Sequence, residues 1–127
     1  MRLTDYQVAE YILGRCTARG VPLSNLYLQA ALVAVQDWCN QSGEPQLIWL
    51  QKESVNGLFY RFPGVYYKYC GFGAEPIRIY TTPTSLQLSP RQKAALDYIA
   101  DMAAEMAYSE QFPYRWQEIP LSPILPQ

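Results

Sequence analysis

Residues 22–47, PLSNLYLQAALVAVQDWCNQSGEPQL, constrain this chain more than any other stretch. Ser24 is a strong helix N-cap, and Leu23 before it can pack on Leu28 four residues past the cap, the arrangement known as a hydrophobic staple. From that cap, Leu28, Ala31, Leu32, Val35, Trp38 and Cys39 recur at three- and four-residue steps. Gln29, Gln36, Asp37 and Gln41 fall largely off that stripe, and Gly43 supplies a stop. The spacing predicts a helix over 24–41 with one apolar face in a core.

The same signals predict two more long helices. Thr4 and Gln7 form a capping box ahead of an apolar face made by Val8, Ala9, Ile12, Leu13 and Cys16, giving a helix over 4–19 with Glu10, Arg15 and Arg19 on its wet side. Ser89-Pro90 opens a helix over 90–109 that carries Leu96, Ile99, Met102, Ala103 and Met106 inward, with alanines at 94, 95, 100, 103, 104 and 107 permitting close helix approach. Asp97, Asp101 and Glu105 make an acidic stripe along it, which reads either as a solvated face or as a contact for a basic partner.

Between these helices, Leu47-Ile48-Trp49-Leu50 and Leu58-Phe59-Tyr60-Arg61-Phe62 flank the turn signal Asn56-Gly57, predicting a small β-hairpin over 47–62. Leu58, Tyr60 and Phe62 alternate with Phe59 and Arg61 on its second arm. Pro63 opens a short helix near 63–70, and a short strand is expected near 77–81. The expected fold is α+β, mainly α: three principal helices, a hairpin and a short helix in one domain over 1–118, followed by a proline-rich, loosely ordered tail at 119–127.

Residue types limit the chemistry. With 127 residues, half of them hydrophobic, the chain can bury a core of its own. A net charge of −1 provides no basic field for a phosphate backbone, and no run approaches 18 apolar residues, so neither nucleic acid nor membrane is the expected partner. Three cysteines, at 16, 39 and 70, fit a reducing, cytoplasmic setting better than a disulfide framework. There is no histidine, no C-x-x-C or H-E-x-x-H spacing, and Gly71-Phe72-Gly73 reads as a turn rather than a phosphate loop. No catalytic residue, cofactor or metal ligand is expected, and the chain reads as a non-enzymatic protein.

Its aromatic residues point instead to a protein contact. Tyr60, Tyr66, Tyr67, Tyr69, Tyr80, Tyr114 and Trp116 crowd the middle and end of the chain, and Tyr, Trp and Arg are the usual interface anchors. The candidate partner-binding residues are Phe59, Tyr60, Arg61, Tyr67, Lys68 and Tyr69, with Gln29 and Gln36 as polar groups facing the same cleft.

Several of these segments also resemble a known family. Asn25-Leu26-x-Leu28-Gln29, Leu32, Gln36-x-Trp38 and Gly43-x-Pro45-x-Leu47 look like the signature helix of the Panacea-domain (SocA-like) antitoxins, which read approximately N-L-K-L-Q-K-L-L-Y-Y-A-Q-x-W and then G-x-P-L. Val8-Ala9-x-Tyr11-Ile12-Leu13 is similar to the family's opening V-A-x-Y-I-L, and Pro63-x-Val65-Tyr66-x-x-Tyr69-x-x-Phe72-Gly73-x-x-Pro76-Ile77 to its V-P-x-V-Y-x-x-F-x-x-Y-G-x-x-P-I. Leu88-Ser89 with Leu96-Asp97-x-Ile99 matches the closing helix. The chain departs at Ala30, where the family has Lys, at Val33, where it has Tyr, and at Glu53–Leu58, where A-W-x-x-G-P-V is replaced. The resemblance spans about 5–100 and implies an antitoxin that neutralises a cognate toxin by direct binding, with no chemical step. The departures leave two alternatives open. One is a phage or mobile-element encoded inhibitor of a host defence or replication protein; the other is a phage structural or assembly protein, which would form a homo-oligomer.

Overall fold

The computed structural model describes residues 3–78, 86–109 and 116–126, and its fold is α+β, mainly helical. Four α-helices, α1 (Asp5–Ala18), α2 (Asn25–Ser42), α3 (Pro63–Lys68) and α4 (Pro90–Tyr108), accompany two short strands, β1 (Glu53–Val55) and β2 (Phe59–Arg61). One-turn 3-10 helices lie at Cys70–Phe72 and Ser122–Ile124.

Local chemistry sets the helix ends. Thr4 and Ser89 each complete a capping box, with Gln7 and Gln92 reaching back to the cap backbone, while Ser24 caps α2 by accepting from the Tyr27 N–H. Gly43 ends α2 in the left-handed region at φ 71°, a conformation that costs glycine nothing and a side-chain-bearing residue about 1 kcal/mol.

Helix α2 is the axle of the molecule. It packs against α1, α4 and β2, so it is buried well beyond the predicted stripe: Gln29, Ala30, Val33, Ala34 and Gln36 lie inside together with Leu28, Leu32, Val35 and Trp38. Helix α4 crosses both α1 and α2 on its small-residue face, where Ala95, Ala100, Ala103 and Ala104 leave room for the backbones to approach.

The wet side predicted for α1 is engaged across that crossing. Arg15 forms a two-pronged pair with Asp101 at 2.9 and 3.0 Å, Arg19 reaches Asp101 at 3.1 Å, and Arg15 also lies 3.5 Å from Asp97. Asp97 further accepts from the Tyr11 hydroxyl and from Lys93. Asp97 and Asp101 therefore tie two helices together instead of standing as a solvated stripe; Glu105 alone of the three is exposed.

The hairpin is shorter than predicted. Strands β1 and β2 pair antiparallel with Glu53 opposite Arg61, Ser54 opposite Tyr60 and Val55 opposite Phe59. Asn56 and Gly57 both take positive φ, 55° and 70°, the geometry that matches the right-handed twist of a two-residue hairpin loop. The apolar run Leu47–Leu50 forms no strand: Leu47 and Ile48 enter the core, Trp49 and Leu50 are each 53% exposed, and the Gln36 amide holds the carbonyls of Ile48 and Leu50.

The C-terminal segment also departs from expectation. Residues 119–126, predicted as a loose tail, lie on the body: Ile119 is buried, the Trp38 indole N–H donates to the Ile124 carbonyl at 3.3 Å, and the Tyr98 hydroxyl donates to the Pro120 carbonyl at 2.7 Å. Prolines limit helix here to a single 3-10 turn but do not prevent packing, and two aromatic donors from α2 and α4 hold the segment's carbonyls. Most of the strand expected at 77–81 lies outside the described residues; Ile77 itself is buried and donates its N–H to the Leu23 carbonyl at 2.7 Å.

Candidate functional site

Alternation along β2 decides which hairpin side chains meet solvent. Tyr60 points away from the core and stays 39% exposed, and Leu58 at the turn is 72% exposed, while Phe59 and Arg61 lean toward α3. Phe62, expected to share a face with Leu58 and Tyr60, is fully buried, because the strand ends at Arg61 and Phe62 becomes the residue ahead of α3.

The result is a continuous row of rings. Trp116 lies 6.2 Å from Tyr60 in an edge arrangement and 6.5 Å from Phe59; Phe59 is 6.0 Å from Tyr66, and Tyr66 is 5.7 Å from Tyr67. Such offset and edge-on pairs are the preferred aromatic geometry. Two cations sit on it. The Arg61 guanidinium carbon is 5.0 Å from the centroids of both Tyr66 and Tyr67, and the Lys52 ammonium is 4.9 Å from that of Tyr60. Glu53, opposite Arg61 in the hairpin, hydrogen-bonds its guanidinium and raises its pKa above the ordinary arginine value.

Of the residues expected at a contact surface, Phe59, Tyr60, Arg61 and Tyr67 come together here. Lys68 does not join them: it turns to α1, 3.5 Å from Glu10 and over the rings of Tyr6 and Tyr69. Tyr69 is buried at 5% exposure, and burial pushes its phenol pKa up.

Gln29 and Gln36 face no cleft. Gln29 is wholly buried, accepting the Phe62 N–H at 2.8 Å and donating to Asn25 at 3.1 Å, while Gln36 binds the loop carbonyls already described. Both hold backbone in place because α2 is enclosed on nearly every side.

Lys52 and Leu58 carry no signal in the sequence that marks them as contact residues, and Tyr66 stands out there only as one of the crowded aromatics. The three-residue step from Tyr66 to the buried Tyr69 was the available signal that Tyr66 shares a side of α3 with the body rather than with solvent. Tyr80 and Tyr114 lie outside the described residues.

Cys16 is buried on α1 with its thiol pushed up to about 12 by desolvation, and burial also raises Cys39, so neither supplies a thiolate near neutral pH. Among the described residues, no group of three or more His, Cys, Asp or Glu side chains is placed to hold a metal ion, and no helix is long and apolar enough to cross a membrane. No protein-family model, curated protein or solved structure matches the chain.

Proposed function

We propose that this chain is a non-enzymatic protein-binding module that neutralises a toxin by direct contact through its hairpin surface. The observation that carries the reading is the ring row from Trp116 to Tyr67, with Arg61 between two tyrosines and Tyr60, Tyr67 and Leu58 open to solvent. Tyrosine, tryptophan and arginine at the centre of an exposed patch are the residues whose truncation most often abolishes binding. Their cation-ring contacts also limit the rotamer freedom that a partner would otherwise have to freeze. The antitoxin assignment draws on the resemblance in the α2 wording and the Pro63–Ile77 segment.

A second reading, favoured by the rebuilt Glu53–Leu58 hairpin, is an inhibitor of a host defence or replication protein using the same surface. Tagged capture from native cells, followed by co-expression with the recovered protein, separates the two. A partner that kills cells alone and is silenced by this chain supports the antitoxin; a partner that is harmless alone supports the inhibitor. In either case Tyr60→Ala with Tyr67→Ala should weaken the complex by more than about 2 kcal/mol while unfolding stays cooperative. Unchanged affinity would remove the surface from the reading.

A further inference from the structure

We propose, on the premise that the ring row is the partner-binding surface, that the interface continues past Trp116 into the groove between α2 and the C-terminal segment. That groove takes an apolar side chain and an adjacent arginine or lysine from an extended, basic stretch of the partner.

Three observations converge on this. First, the groove is continuous with the ring row, because Trp116 belongs to both: its ring meets Tyr60 and Phe59, and it also forms one wall of the groove. A partner laid along the rings reaches the groove without a break. Second, the floor is made by Ala30, Val33 and Ala34, whose small side chains leave about 390 Å³ between α2 and the segment. That is near the lower end of ligand pockets and is scaled to one or two side chains rather than to a large cofactor. Third, the charged side chains that line the groove among the described residues are acidic. Asp37 and Glu118 line it, and among the described residues no lysine or arginine does. Lys52 pairs with Asp37 from the hairpin side at 3.4 Å and sits over Tyr60, so it offsets part of the Asp37 charge and Glu118 carries the rest of the acidic lining. An acidic partner segment would meet like charge here, and a basic one meets its complement.

The test uses the full chain, isotope-labelled, and two synthetic probes: acetyl-Pro-Leu-Arg-Leu-Pro-amide and the same peptide with Glu in place of Arg. The Arg peptide should shift the amide resonances of Ala30, Val33 and Ala34 and bind about five-fold or more tightly than the Glu peptide, with the difference shrinking as salt is raised. Asp37→Asn with Glu118→Gln should erase the preference. Equal binding by the two peptides, or no shift at these amides at millimolar peptide, overturns the proposal. With the captured partner, the two readings separate. Loss of binding in the Tyr60/Tyr67 variant but none in the Asp37/Glu118 variant sinks the groove and spares the ring row. A retained Arg preference with an unaffected Tyr60/Tyr67 variant does the reverse.

Discussion

The side-chain carbonyl of Gln29 accepts the backbone N–H of Phe62 at 2.8 Å, deep in the core and 33 residues away in sequence. Phe62 joins the hairpin to α3, so this one hydrogen bond fixes where the ring-bearing hairpin leaves the body. Gln29→Leu keeps the volume but leaves the Phe62 N–H and the Asn25 Oδ1 without that partner, at about 1–3 kcal/mol for each buried group. Urea unfolding should therefore show a loss of about 2–6 kcal/mol with an unchanged slope. A loss below about 1 kcal/mol would mean that the two groups find other partners.

Acid should act through the α1–α4 crossing. Partial burial pushes the Asp97 carboxyl up, but hydrogen bonds from Lys93 and Tyr11 and the nearby Arg15 charge outweigh it and hold the pKa below the ordinary value. The Arg15 hydrogen bond does the same for Asp101 against a smaller burial effect. Because both folded-state values are depressed, their stabilisation is fully present above the unfolded value near about pH 4 and is lost as pH falls through the folded values. Thermal unfolding from pH 7 to pH 2 should steepen below about pH 4, and Asp97→Asn with Asp101→Asn should flatten that limb while costing about 1 kcal/mol at neutral pH. An equally steep limb in the double variant would place the acid sensitivity elsewhere.

What the sequence disclosed was local. The caps at Thr4, Ser24 and Ser89, the stop at Gly43 and the Asn56-Gly57 turn are each decided by neighbouring residues, and each lies where it was expected. Long-range pairing was hidden. Arg15 and Asp101 are 86 residues apart, so each looked like a solvated charge. Gln29 and Gln36 fall off the apolar stripe of α2, and nothing in periodicity says that a helix will be enclosed on its polar side as well. Leu47–Leu50 has strand-forming composition, but the carbonyls of Ile48 and Leu50 accept from the Gln36 amide and the run pairs with no described strand. For the surface, the hairpin aromatics and Arg61 were legible, whereas the place of Trp116 depended on a proline-rich segment whose docking needs Trp38 and Tyr98.

Thiol labelling should sort the cysteines by environment. Cys70 is exposed, while Cys16 and Cys39 are buried. Iodoacetamide at pH 8 should modify Cys70 alone in the native protein and all three in denaturant, as read by peptide mass spectrometry. Rapid native labelling of Cys16 would contradict its place between α1 and α4, where its thiol donates to the Ala100 carbonyl.

Shortening the chain after Glu118 should destabilise it. The cut removes buried Ile119 together with the carbonyls held by Trp38 and Tyr98, a loss of about 2–4 kcal/mol, and the tryptophan emission should move to longer wavelength. An unchanged melting temperature would show that the segment adds nothing to the core.

The hairpin is clamped at both roots by one helix: Gln36 holds the chain entering it at Ile48 and Leu50, and Gln29 holds the chain leaving it at Phe62. Its outer end, Ser54 through Leu58, lies beyond both clamps. Side chains there other than the Asn56-Gly57 turn can change without disturbing the way the core is assembled. The fold is in this sense a tool holder with an interchangeable bit. Substitutions at Ser54, Val55 and Leu58 would reshape the hairpin tip on a constant scaffold while Asn56-Gly57 keeps the turn and α2 stays the same.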